Sequence, residues 1–252
     1  MSQFVELRIL GYAVTVMGHA TNLMYMDWLH KNHPSDNENV KQFKSLESRF
    51  FTTWTVFLQM CYAMYGLAID LFILKHAVIK GQKDYRLPPS ISGFREFLFA
   101  AVVWPSSLVV FTVFWGVYSF DRTLIFPEFL DAVIPPISNH IIHTLILPVA
   151  LWELVTLPRK EPERHAQNVS QLSLHIGAYL SVLCFTYFER GVWLYPIFRK
   201  LFGTVYFFIV LAAIGSLFYI FYYLQWPLTN WIHGSKKKSE KKKNKSEKKK
   251  VK

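Results

Sequence analysis

Residues 135–157, "PPISNHIIHTLILPVALWELVTL", decide the fold. If this stretch crosses a bilayer, the chain has six apolar blocks and both of its ends lie on one side. If it does not, five blocks remain and the ends part. The stretch has the length of a transmembrane helix, roughly 20 residues. Yet it carries Asn139, His140 and His143 near its start. Hydrocarbon offers such groups no hydrogen-bond partner, so they mark places where the protein itself uses them. Pro135 and Pro136 fit a helix start, because proline is tolerated in the first turn.

Working outward, the other blocks run over 5–26, 50–74, 94–120, 169–188 and 203–228, with the quoted stretch inside a sixth at 132–157. Apolar residues make up 52% of the 252 and charged ones only 18%. The charge is swept out of these blocks and gathered between them. Eleven of the 28 Lys and Arg lie in the last seventeen residues, "KKKSEKKKNKSEKKKVK". With that tail's two Glu and eleven Lys set aside, the net charge of +11 falls to +2. The positive balance is thus a property of the tail and gives no sign of a nucleic-acid-binding body. The expected fold is an all-α, polytopic membrane helix bundle of six transmembrane helices, with residues 1–234 as one domain. The tail, 235–252, has almost no apolar residues and is expected to be disordered.

Loop charge sets the orientation. With six spans, twenty Lys and Arg fall on the side of the two ends and eight on the other, which predicts cytoplasmic termini. Without the tail the split is nine to eight, so the tail carries most of that reading. The loop 31–48 is then the longest external segment. Asn-x-Ser sequons at Asn168 and Asn244 fall on the cytoplasmic side and read as chance matches. No cleavable signal-peptide pattern is present, and the first block is expected to act as an uncleaved anchor. The final "KKVK" has the lysine placement of a dilysine retrieval signal, which points to the endoplasmic reticulum or endomembranes, with the plasma membrane as the other expectation. Cys61 and Cys184 both lie in apolar blocks, so no disulfide framework is indicated.

His140 and His143 are three residues apart and share one face of a helix, with Asn139 leading it. Three uses suggest themselves: helix–helix packing, half of a metal site, or a histidine base for a hydroxyl nucleophile. A metal site would draw further ligands from His19, His175, Asp70 or Glu153. Asp70 and Glu153 stand toward the cytoplasmic ends of their blocks, well over ~10 Å from His143 by helix rise. No Gly-x-Ser-x-Gly elbow occurs. Hydroxyls are offered instead by "RFFTTWTVFLQ", residues 49–59, at the outer end of the second block. A helical threonine ordinarily bonds back to a carbonyl one turn earlier. By the topology above, however, Thr52 and His143 share the external half of the bundle.

The stretch "FWGVYSFDRTLIFPEFLDAVIPPISNHIIHTLILP", residues 114–148, resembles the central signature of the androgen-induced gene 1 and androgen-dependent TFPI-regulating protein family. Similarity extends to "FTTWTVFLQ" with Asp70 following it, to "GVWLYP" at 191–196, and over all six blocks. The resemblance implies a multi-pass membrane hydrolase that cleaves fatty acid esters of hydroxy fatty acids with a threonine nucleophile and a histidine. It implies a lipid substrate and the bilayer as partners, and neither cofactor nor metal. The family histidine is the second of Asn-His-x-x-His, here His143. The family threonine precedes a glutamine by seven residues and an aspartate by eighteen; Gln59 and Asp70 assign it to Thr52. The chain departs from the family at the doubled Thr52-Thr53. A third group should orient the imidazole by triad logic. Asn139, His140, Asp121 and Asp131 are the candidates, unranked. Outside the resemblance, a metal-dependent enzyme using His140 and His143, or a non-enzymatic transport or structural protein, remains an alternative.

Overall fold

The computed structural model describes residues 4–82 and 85–250, the stretch 235–250 as backbone only. The tail expected to be disordered, 235–252, falls on residues whose side chains lie outside that description. The described chain is all-helical. Its helices are α1 (Val5–Asn32), α2 (Glu38–Leu46), α3 (Phe51–Ile79), α4 (Pro89–Leu98), α5 (Trp104–Asp121), α6 (Pro136–His143), α7 (Ile146–Thr156), α8 (Ala166–Arg190), α9 (Pro196–Leu201) and α10 (Val205–Lys250).

Among the described residues, five helical stretches are long and apolar enough to cross a membrane: Phe51–Ile79, Pro89–Leu124, Pro136–Thr156, Ala166–Arg190 and Val205–Gly234. The expected first block is not among them, although α1 has 28 residues, or ~42 Å at 1.5 Å per residue. Its pattern explains this. Arg8, Tyr12, Thr15, His19 and Asn22, spaced four and three apart, form one buried stripe, while Leu10, Val14, Met17 and Met24 are exposed. The helix is inside-out relative to one in a soluble protein: polar groups face its neighbours and apolar ones face outward. A hydropathy average blurs the two faces.

Two of the other stretches are interrupted, each at a proline. Pro105 stands in the first turn of α5, directly after a π-helical turn at Phe99–Val103. There the missing N–H and the bulky ring are absorbed by the wider turn. Pro148 disfavours a straight helix through the carbonyl four residues earlier, that of Thr144. The chain breaks there into α6 and α7, and the His140 carbonyl accepts both the Thr144 and Leu145 N–H groups. The helix starts at Pro136, four residues later than the block edge at 132; residues Glu128–Ala132 form a 3-10 turn instead. At the end of α8, Gly191 takes φ +67°, a left-handed cap that glycine adopts without a Cβ clash.

One buried polar cluster ties four of these helices together. Arg8 Nε and Nη2 donate to the two Asp70 carboxylate oxygens at 2.7 and 3.1 Å, and Arg95 Nη1 donates to Asp70 at 3.1 Å. Arg95 also bonds the Tyr12 hydroxyl. Tyr12 and Tyr62 donate to the Glu153 carboxylate, which also accepts from Arg159 Nη2 at 2.6 Å. Thus α1, α3, α4 and α7 meet at one end of the bundle. The approach of α1 to α3 is close enough that a Cβ on Gly66 would lie 2.6 Å from the Tyr12 ring.

Asp70, fully buried, is the anion between two guanidinium groups. Asp70→Asn removes the buried anion that Arg8 and Arg95 share, which should destabilise the bundle by ~3–5 kcal/mol. Thermal unfolding of purified protein in detergent should show a clearly lowered midpoint. An unchanged midpoint would mean the cluster does not hold these helices.

Candidate active site

Thr52 is the second residue of α3, and His143 is the last residue of α6. The structure brings them together: Thr52 Oγ1 lies 3.2 Å from His143 Nε2. The other ring nitrogen settles the tautomer. His143 Nδ1 is 2.7 Å from Asn139 Oδ1 and 3.2 Å from the Asn139 carbonyl, and both of these oxygens can only accept. Nδ1 therefore carries the proton, and Nε2 presents a lone pair to the Thr52 hydroxyl. Phe114 lies flat against the imidazole, with centroids 3.5 Å apart and planes 7° from parallel. The ring is thus fixed by one hydrogen bond in its plane and one stack against its face.

The doubled threonine is resolved by what each hydroxyl bonds. Thr53 Oγ1 donates to the Glu47 carbonyl at 2.8 Å, and Thr55 Oγ1 donates to the Phe51 carbonyl at 3.0 Å. Thr55 back-bonds one turn earlier, as helical threonines usually do, and Thr53 reaches a carbonyl six residues back in the turn before α3. Thr52 alone of the three faces the histidine.

The remaining candidates are elsewhere. His140 is exposed, bonds the Thr144 hydroxyl at 3.0 Å through Nδ1, and stacks on Trp115. Asp121 caps the turn at Thr123, and Asp131 pairs with Arg122. Of the four groups considered for orienting the imidazole, the geometry leaves Asn139. His19 donates from Nε2 to Gln59 Oε1 at 3.1 Å, and His175 bonds Ser106. Asp70 and Glu153 belong to the cluster at the other end. Among the described residues, no three His, Cys, Asp or Glu side chains converge to hold a metal ion.

Gln59 has a supporting place. Its Nε2 donates to Ser107 Oγ at 2.8 Å and to the Ile146 carbonyl at 2.7 Å, fixing the break between α6 and α7 just beyond His143. Sequence reasoning used Gln59 only as a ruler for Thr52. It also missed the Phe114 clamp and Tyr179, which stands between His175 and Ser181 in α8. The one signal available for Phe114 was its place at the head of the quoted motif.

Thr52 and His143 open onto a cavity of about 440 Å³. Its walls come mainly from α3, α5, α6, α8 and α10, with Met26 of α1, Phe43 of α2 and Phe198 of α9 adding to them, and are almost wholly apolar, with Val110, Ile142 and Phe218 among them. Glu47 is the one charged residue on its described lining. The arrangement is a hydroxyl and an oriented imidazole base at the wall of an apolar chamber.

Residues 8–226 match the family described as FAR-17a/AIG1-like protein. The chain belongs to this family. It is 35% identical to the human androgen-dependent TFPI-regulating protein over 198 residues, covering 77% of this chain and 80% of that one. The rat protein of the same name is 32% identical over 212 residues, covering 83% and 87%. The human androgen-induced gene 1 protein is 28% identical over 195 residues, covering 77% and 81%. No solved structure matches the chain. Family membership and the five apolar helices together make it a multi-pass membrane protein.

Proposed function

We propose that this chain is a membrane carboxylic ester hydrolase that cleaves fatty acid esters of hydroxy fatty acids, with Thr52 as nucleophile and His143 as base. The observation that carries the reading is the Thr52 Oγ1 to His143 Nε2 contact of 3.2 Å at the wall of the apolar cavity. As Thr52 Oγ attacks the ester carbonyl carbon, its proton passes to His143 Nε2 and the carbonyl π pair moves to oxygen. The tetrahedral intermediate collapses, and the leaving alkoxide takes the proton from His143. Water, deprotonated by the same nitrogen, then attacks acyl-Thr52; the second tetrahedral intermediate collapses, Thr52 Oγ takes the proton back from His143, and the acid is released. Asn139 holds the imidazole in the required tautomer throughout, and no metal or cofactor takes part.

The cavity supports a lipid ester. Its volume of about 440 Å³ and almost wholly apolar walls suit an acyl chain. With Glu47 the only charge among the described residues of its lining, it suits the uncharged acyl half. The carboxylate of the hydroxy acid then lies at the mouth.

In this reading α1 is the sixth span, its polar stripe buried against α3 and α7, and both termini are cytoplasmic. The compartment is the endoplasmic reticulum, another endomembrane or the plasma membrane. Single cysteines placed in the loop 31–48 should react with an impermeant maleimide from the non-cytoplasmic side of sealed membranes. Reaction only after permeabilisation would invert the topology.

Thr52→Ala and His143→Ala should each lower turnover of a fatty acid ester of a hydroxy fatty acid by at least about 10³-fold, with normal accumulation in membranes. The double variant should be hardly worse than either, because the two residues act as one unit. Thr53→Ala should stay active, and His140→Ala should lose at most part of the rate. Full activity in both Thr52→Ala and Thr53→Ala would remove the threonine mechanism; complete loss in His140→Ala would favour a metal site at His140 and His143.

A further inference from the structure

Attack on an ester creates an oxyanion, and an apolar cavity has few groups to meet it. Oxyanion donors are commonly the largest single contribution to such catalysis. The wall beside Thr52 holds an unusual pair. The amide N–H of Phe51, the residue before Thr52, lies 3.0 Å from the Tyr179 hydroxyl oxygen and 3.0 Å from that of Tyr195, and donates to both. The two hydroxyl oxygens are 2.8 Å apart. Both tyrosines line the cavity together with Thr52 and His143.

Counting protons is informative here. Two phenols carry two hydroxyl protons. The bond between them uses one, and the Phe51 amide supplies its own. The second phenolic proton has no acceptor among the described residues. The pair is therefore a donor with one O–H to give, held at the cavity wall one residue from the attacking oxygen. The Thr52 and Thr53 amides, in the first turn of α3, likewise find no acceptor among the described residues. Burial pushes the Tyr195 phenol above its ordinary value, so it keeps its proton at neutral pH. The positive end of the α3 dipole points the same way.

We propose that the Tyr179–Tyr195 pair is the oxyanion donor of this site, its free O–H bonding the carbonyl oxygen as negative charge develops there. The proposal rests on the threonine-hydrolase reading. It makes both tyrosines catalytic residues in one unit. Removing one leaves the other with a free proton, so the decisive variant is Tyr179→Phe/Tyr195→Phe. A structural role, through the cap on the Phe51 amide, would displace Thr52 and disturb ground-state binding as well.

The test uses wild type and the double variant in nanodiscs. It measures kcat and KM for a fatty acid ester of a hydroxy fatty acid, and inhibition by a long-chain alkyl trifluoromethyl ketone and its methyl ketone counterpart. The trifluoromethyl ketone adds Thr52 Oγ at its carbonyl carbon, gives the Thr52 proton to His143 and leaves an oxyanion; the methyl ketone binds without adding. The double variant should lose about 10²–10³-fold in kcat, with KM changed by less than about threefold. Its preference for the trifluoromethyl over the methyl ketone should shrink by a similar factor. A kcat within about threefold of wild type, or equal weakening of both ketones, overturns the proposal and leaves the hydrolase reading intact. Absence of ester cleavage by wild type overturns both. If the double variant does not accumulate, the structure of the wild-type trifluoromethyl ketone adduct decides. An oxyanion within about 3.1 Å of either tyrosine oxygen is expected, and one directed away from both overturns the proposal.

Discussion

Asp70 held between Arg8 and Arg95 is the interaction on which the rest of the architecture depends. A buried carboxylate is tolerated only with excellent pairing, and here two guanidiniums from α1 and α4 supply it. Glu153 does the same for α7 and Arg159, and Tyr12 joins the two halves. The cluster locks one end of α3. Thr52 lies at its other end, eighteen residues or ~27 Å away by helix rise. A rigid helix thus separates a charged anchor from an uncharged site. The anchor fixes how α3 is rotated and therefore which of its threonines meets α6.

The site itself avoids charge. A carboxylate beside His143 would have to be desolvated within the bundle, at a cost that only strong pairing offsets. Asn139 gives the same in-plane hydrogen bond to Nδ1 with no ion to bury. An amide partner cannot stabilise an imidazolium as a carboxylate does, which shifts more of the work to donors around the oxyanion. Phe114 then holds the ring face from the apolar side.

Much of this was legible in the chain. The apolar blocks follow from length and hydropathy; block position allowed Thr52 and His143 to meet, and the family resemblance singled out that pair from the three threonines and two histidines. Three features were not. The inside-out character of α1 is invisible to averaging, since its polar stripe and apolar face cancel. The break at Thr144 depends on Pro148 acting on a carbonyl four residues back, within a segment read as continuous. The choice of Asn139 over His140, Asp121 and Asp131 turns on rotation about the α6 axis: Asn139 and His143, four apart, are both buried, whereas His140 is exposed. Tyr179 and Tyr195 lie on α8 and just before α9, and they meet each other and the Phe51 amide at the head of α3, a convergence that no spacing foretells.

The central claim is that the Thr52 hydroxyl, activated by His143, is the nucleophile. Its most direct test is to treat the protein with a fluorophosphonate, digest it and locate the phosphonylated residue by mass spectrometry. The account predicts modification at Thr52, absent from His143→Ala and blocked by prior addition of a fatty acid ester of a hydroxy fatty acid. Modification at Thr53 or at any serine, or labelling of Thr52 that persists without His143, would contradict it.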